Sequence, residues 1–111
     1  MKGATTEPTI SPTPLACVPE AIRAEERPVH FALIQRLFST ATLEREALPN
    51  GYAFRFAPEA IEEIARFMVS ERKCCPFLTF ELIAPSSADS VWLRMTGPEG
   101  TRAFLEAEFP I

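Results

Sequence analysis

One histidine and three cysteines are all that this 111-residue chain offers of the two side chains that most often serve as soft metal ligands or nucleophiles. With His30 alone, most acid–base mechanisms would have to run on carboxylates, and no isolated carboxylate pair stands out. There is no Ser-His-Asp arrangement, no H-E-x-x-H and no glycine-rich dinucleotide or Walker loop. No lysine- or arginine-rich block appears. With a formal net charge of -4 and a pI near 5.0, the chain lacks the electrostatic footprint of a nucleic-acid or anionic-lipid binder. No apolar run reaches the roughly 18 residues that a membrane-spanning helix needs. Where a signal peptide would carry its apolar segment, the N-terminus is polar and dotted with proline. The expected setting is therefore cytoplasmic, with no membrane partner and no nucleic acid. There the thiols would be reduced, and a cysteine cluster is read as metal-binding or redox-active before it is read as a structural disulfide.

What is present is a hydrophobic content of 47%, enough for one packed domain at this length and too little chain for two. Residues 1–16, rich in Thr, Pro and Ser, can bury little and are expected to form a flexible tail. Residues 17–111 are expected to form the fold. Pro19 suits the first turn of a helix, and Pro28 would break or kink it. From Val29 the spacing is helical, with Val29, Leu33 and Leu37 in one stripe and Ile34 and Phe38 beside it. Thr42 to Leu48 and Tyr52 to Ala57 read as a hairpin turning on Pro49-Asn50-Gly51, with Asn-Gly supplying left-handed conformations. Pro58 opens a second helix with Ile61, Ile64, Ala65 and Met68 inward, and Pro76 ends it. Phe77 to Ile83 and Val91 to Thr96 read as a second hairpin, with Trp92 and Phe77 as candidates for an outer face that pairs with another subunit. A short helix carrying Phe104, Leu105 and Phe109 closes the chain. The order helix, hairpin, helix, hairpin, helix predicts an α+β fold: a four-stranded antiparallel sheet with helices packed on one face.

Two of the three cysteines, Cys74 and Cys75, stand side by side at the junction of the second helix and the second hairpin. Adjacent residues bridge to each other only with difficulty, because disulfide geometry wants the Cα atoms further apart than one peptide link allows. As a vicinal dithiol they would hold a soft centre: Cu(I), Zn(II) or, by the same softness, Hg(II) or trivalent arsenic. Arg72 and Lys73 favour the thiolate, whereas the helix C-terminus opposes it. The competing reading packs one cysteine in the core as a small hydrophobe. Cys17, just before the first helix, would complete a three-sulfur site if that helix packs near the end of the second; otherwise it lies on a mobile segment. Three sulfurs suit pyramidal arsenic or trigonal mercury better than tetrahedral zinc, for which His30 is the only further nitrogen ligand. His30 reads equally as a surface or interface residue of an amphipathic helix. Glu71 and Arg72 would tune the thiols, or else form an ordinary solvated helix end. The Thr96-Gly97-Pro98-Glu99-Gly100 loop offers free backbone N–H groups for an anion, or is a cap and turn.

The segments Leu48-Pro49-Asn50-Gly51-Tyr52, Glu71-Arg72-Lys73-Cys74-Cys75-Pro76-Phe77-Leu78-Thr79-Phe80 and Leu93-Arg94-Met95-Thr96-Gly97-Pro98-Glu99-Gly100 resemble a group of small, functionally unassigned bacterial proteins marked by an E-R-x-C-C-P-F motif. An upstream cysteine opening a helix, matched by Cys17, belongs to that pattern. The resemblance spans Cys17 to Phe109 and implies an association with metal or metalloid resistance. Members run straight through the first helix, whereas this chain has Pro28 there.

Three functions follow from these residues. The first is a module that binds a soft metal or metalloid ion through Cys17, Cys74 and Cys75. The second is a non-catalytic interaction domain, a homodimer through its outer sheet face, in which the cysteines are packing residues. The third is a thiol enzyme acting on a small electrophile or a peroxide.

Overall fold

The computed structural model describes residues 15–111. Four strands, β1 (Glu44–Leu48), β2 (Gly51–Phe56), β3 (Thr79–Ile83) and β4 (Val91–Thr96), form one antiparallel sheet in the order β1-β2-β4-β3. Helices α1 (Arg27–Gln35), α2 (Ile61–Cys74) and α3 (Thr101–Glu108) accompany the sheet in an α+β fold, as the element order predicts. The expected tail lies, for residues 1–14, outside the described residues; Leu15 packs against the core.

Alternation decides which face the strands bury. Phe54 and Phe56 of β2 and Val91, Leu93 and Met95 of β4 are sealed, while Arg55, Trp92 and Arg94 between them stay half-exposed on the other face. Cross-strand ion pairs, Arg55 to Glu44 at 2.9 Å and Arg94 to Glu81 at 3.0 Å, lie on that outer face. Over the inner face Phe38, Phe54, Phe67 and Phe109 meet edge to face, with centroids 4.9 to 6.1 Å apart.

Pro28 begins the first helix instead of breaking one: it sits in the first turn of α1, where a missing N–H costs nothing. The segment from Pro19 is a single 3-10 turn, Pro19–Ala21. The inward stripe of the first helix keeps Leu33, Ile34, Leu37 and Phe38 as expected but starts at His30 instead of Val29. Val29 is 60% exposed, and His30, Leu37 and Phe38 point in. After α1 the chain winds through a π-helical turn, Arg36–Ala41, which Thr42 closes by donating from Oγ1 to the Leu37 carbonyl. On α2 the expected Ala65 faces out, and the buried stripe runs through Ile64, Phe67, Glu71 and Cys74. Early Glu62 and Glu63 and late Arg72 and Lys73 match the helix dipole.

Two other details differ from expectation. Gly51 does not take a left-handed conformation; it is the first residue of β2, and a side chain there would collide with the Met95 carbonyl of β4. Phe77 is not on the outer face. It lies in the turn before β3, buried edge to face on Phe104 of α3 at 4.8 Å.

Candidate functional site

The C-terminal end of α2 carries the site. Phe67 fixes the rotational setting of the helix, so Glu71, one turn on, points into the same interior. The helix ends where the Cys75 N–H bonds the Glu71 carbonyl at 2.7 Å; Leu78 N–H then turns back to the Cys75 carbonyl. Pro76 forces this exit. Both cysteine side chains are therefore drawn inward, Cys74 to 3% exposed and Cys75 to 0%.

Cys17 arrives from the other end of the domain. Val18 N–H donates to the Cys74 carbonyl at 2.7 Å, so the segment before the 3-10 turn lies along the end of α2. Ile22 is buried behind it, and the Arg27 guanidinium binds the Pro19 and Ile22 carbonyls, each at 3.0 Å. Cys17 and Cys75 consequently sit at disulfide distance, with Cα atoms 4.7 Å apart. Cys74 is a free thiol. Reduced cysteines were the expectation; this geometry admits a bridge between Cys17 and Cys75, while Cys74 and Cys75 are not bridged to each other.

Glu71 is 1% exposed, so the solvated-helix-end reading fails for it, while Arg72 does remain at the surface. A buried carboxylate needs partners, and Glu71 has two. His30 Nε2 donates to Oε1 at 2.7 Å, and in the thiol form Cys75 Sγ donates to Oε2 at 2.9 Å. His30 is thus neither a surface residue nor in the sulfur cluster. It is buried, stacked on Phe67 with centroids 5.8 Å apart, and its Nδ1 has no partner among the described residues. Ligand atoms of Cys17, Cys74, Cys75 and Glu71 lie within 4.8 Å of one another. Burial pushes the Cys74 thiol above its ordinary pKa, and the Glu71 charge adds to the shift.

A cleft of about 370 Å³ opens onto the cluster. Cys17, Glu71 and Cys74 form part of its lining, with apolar Phe31, Ile34 and Phe109 around them. Pro19, Gln35 and Glu108 complete it. Cys75 lies behind, out of reach of solvent. The Thr96–Gly100 loop stands apart as a cap: Thr101, fully buried, donates from Oγ1 to the Pro98 carbonyl at 2.6 Å.

The sequence reading named all the cluster residues but did not foresee the His30–Glu71 contact. Its signal was available. Glu71 falls in the apolar stripe of α2 and His30 in that of α1, and two polar residues in facing apolar stripes need each other.

Comparison with family models, with curated proteins and with solved structures finds no match to this chain. Among the described residues no helix is long and apolar enough to cross a membrane. Cysteines and a carboxylate that together could hold a metal are the feature from which a function has to be argued.

Proposed function

We propose that the reduced protein binds one soft, thiophilic ion between Cys17, Cys74 and Cys75, with Glu71 beside it. The observation that carries this reading is the convergence of three sulfurs and one carboxylate within 4.8 Å at the base of a cleft. Sulfur donors select soft ions, and three of them in one corner favour a trigonal or pyramidal centre such as Hg(II) or trivalent arsenic over tetrahedral zinc. His30 contacts the cluster only through Glu71 and is not among the clustered ligand atoms, so a four-ligand zinc site gains no nitrogen from it. The resemblance to the E-R-x-C-C-P-F proteins and their association with metal or metalloid resistance points the same way. Binding displaces thiol protons, so it strengthens as pH rises.

Titrating the reduced, metal-free protein with Hg(II) and with arsenite tests this. Binding that is lost or weakened by at least about tenfold in Cys17→Ser, Cys74→Ser and Cys75→Ser is expected. Unchanged binding in all three variants would refute it.

The burial of Cys74 and Cys75 also supports a second reading, an interaction domain whose cysteines are packing residues. In it two copies pair through the outer sheet face, where Trp92 is half-exposed and Ile83 is 45% exposed. Slow alkylation of the reduced thiols and a dimer dissociated by Trp92→Ala are its expected results. A monomer at every concentration in sedimentation would count against it.

A further inference from the structure

The three sulfurs differ in access. Cys17 is half-buried and lines the cleft, whereas Cys75 is sealed behind it. A nucleophile entering the cleft therefore meets the Cys17 side of the Cys17–Cys75 pair. Exchange rates depend on which sulfur is reachable and on how the departing thiolate is received. Here the departing group would be Cys75, and a partner is in place for its thiol: Glu71 Oε2 accepts from Cys75 Sγ at 2.9 Å. The cleft also has a charge preference. Its charged lining residues are both carboxylates, Glu71 and Glu108, and no lysine or arginine lines it. Of the two, Glu71 is buried and Glu108 is exposed at the rim of the cleft.

We propose that Cys17 and Cys75 form a redox-active disulfide that exchanges with a low-molecular-weight thiol entering this cleft, and that the cleft favours a thiol carrying an ammonium group over one carrying a carboxylate. In the first step the incoming thiolate attacks Cys17 Sγ. The Cys17–Cys75 sulfur–sulfur bond breaks, a mixed disulfide forms on Cys17, and Cys75 leaves as a thiolate that takes a proton by way of Glu71, which lines the cleft and has Oε2 2.9 Å from Cys75 Sγ. A second thiolate then attacks the small-molecule sulfur of the mixed disulfide. It departs as the symmetrical small disulfide, and Cys17 leaves as a thiolate that is protonated in turn. Two small thiols are oxidised and lose two protons; one protein disulfide is reduced and gains two. The reverse sequence closes the bridge. Neither direction requires a metal ion, although an ion held by Cys17 and Cys75 would block the exchange, so the two activities are measured on separate samples.

The test uses the full chain, oxidised, stripped of metal by a chelator and challenged with cysteamine or with 3-mercaptopropionate. Quenching with acid, alkylating and mass mapping identify which cysteine carries the mixed disulfide and give rate constants per thiolate. Cysteamine is expected to react faster by on the order of fivefold, with the adduct on Cys17. The exposed, conservative substitution Glu108→Gln is expected to shrink that preference, as is added salt. A Cys17–Cys75 bridge that never forms, one that opens only in denaturant, an adduct on Cys74 or Cys75, or equal per-thiolate rates for the two thiols would overturn the proposal. Ion titration of the reduced protein is a separate measurement, so exchange without ion binding refutes only the ion reading, and ion binding without exchange refutes only this one.

Discussion

The middle of α2 and its C-terminal end are buried alike, but they are held by different forces. Around Phe67 three rings, Phe38, Phe80 and Phe109, meet it edge to face, and His30 stacks on it. Such packing is individually weak, collectively large and tolerant of small rearrangements. One turn later, Glu71 is sealed just as tightly and relies on two directed bonds, to His30 and Cys75. There the net gain is small, but the penalty for an unmet partner is high. The apolar half therefore supplies stability, and the polar end supplies a defined arrangement of sulfurs. A single helix reads both because its 3.6-residue period continues unchanged from Phe67 to Glu71.

Substitutions can separate the two regions. The largest effect is expected in the apolar half. Phe67→Ala removes the buried ring on which Phe38, Phe80 and Phe109 converge, and should cost up to about 5 kcal/mol in denaturant unfolding. Next comes the sulfur bridge. Closing a separation of 58 residues should make the oxidised protein more stable than the reduced one by about 4 kcal/mol in the chain-entropy picture. Cys17→Ser should abolish the dependence of the unfolding midpoint on reductant, and a midpoint in wild type indifferent to reductant would show that the bridge does not form.

Glu71→Leu should cost about 1–3 kcal/mol in the reduced protein, because it strands His30 Nε2 with no partner. The double variant Glu71→Leu, His30→Leu should cost less than the sum of the two single changes, since it removes both ends of the bond at once. Strict additivity would mean that the directed bonds do not distinguish this end of the helix from the Phe67 end. The smallest effect lies at the surface. Tyr52 donates to Glu106 at 2.6 Å, and this bond raises the phenol pKa above its ordinary value. A raised folded-state pKa means that the associated stability is present below the unfolded tyrosine value. It fades as pH climbs through the folded one. Glu106→Ala should bring the tyrosinate titration, followed by ultraviolet absorbance, back down toward the ordinary range.

Much of the fold was legible because β3 and β4 alternate with a period of two along their whole length. Val91, Leu93 and Met95 are buried where alternation puts them, and β4 has the expected bounds, Val91–Thr96. The first helix was legible only in part. Of its expected stripe Leu37 is buried and Leu33 packs against the core, but Val29 is exposed and His30, one residue on, takes the inward place. The partner of His30 is Glu71, a residue 41 positions away, so the contact is legible only when the polar residues in the two apolar stripes are matched to each other and not from either helix alone. The cysteines were legible as a cluster for the opposite reason: their scarcity made adjacency conspicuous. Their pairing was not, because it depends on how the chain from Cys17 to Ile22 is laid against the end of α2.

That placement has a further consequence. The bond from Val18 N–H to the Cys74 carbonyl, the buried Ile22 and the Arg27 clamp hold the segment after Cys17 without any help from sulfur. When the bridge opens, the freed Cys17 thiol is not released to the bulk. It stays at a high effective concentration beside its two partners, so re-forming the bridge or closing three sulfurs around an ion becomes an intramolecular, chelate-like event. The orientational entropy of assembling the three thiols has then been met by the folding of the chain, before any ligand arrives.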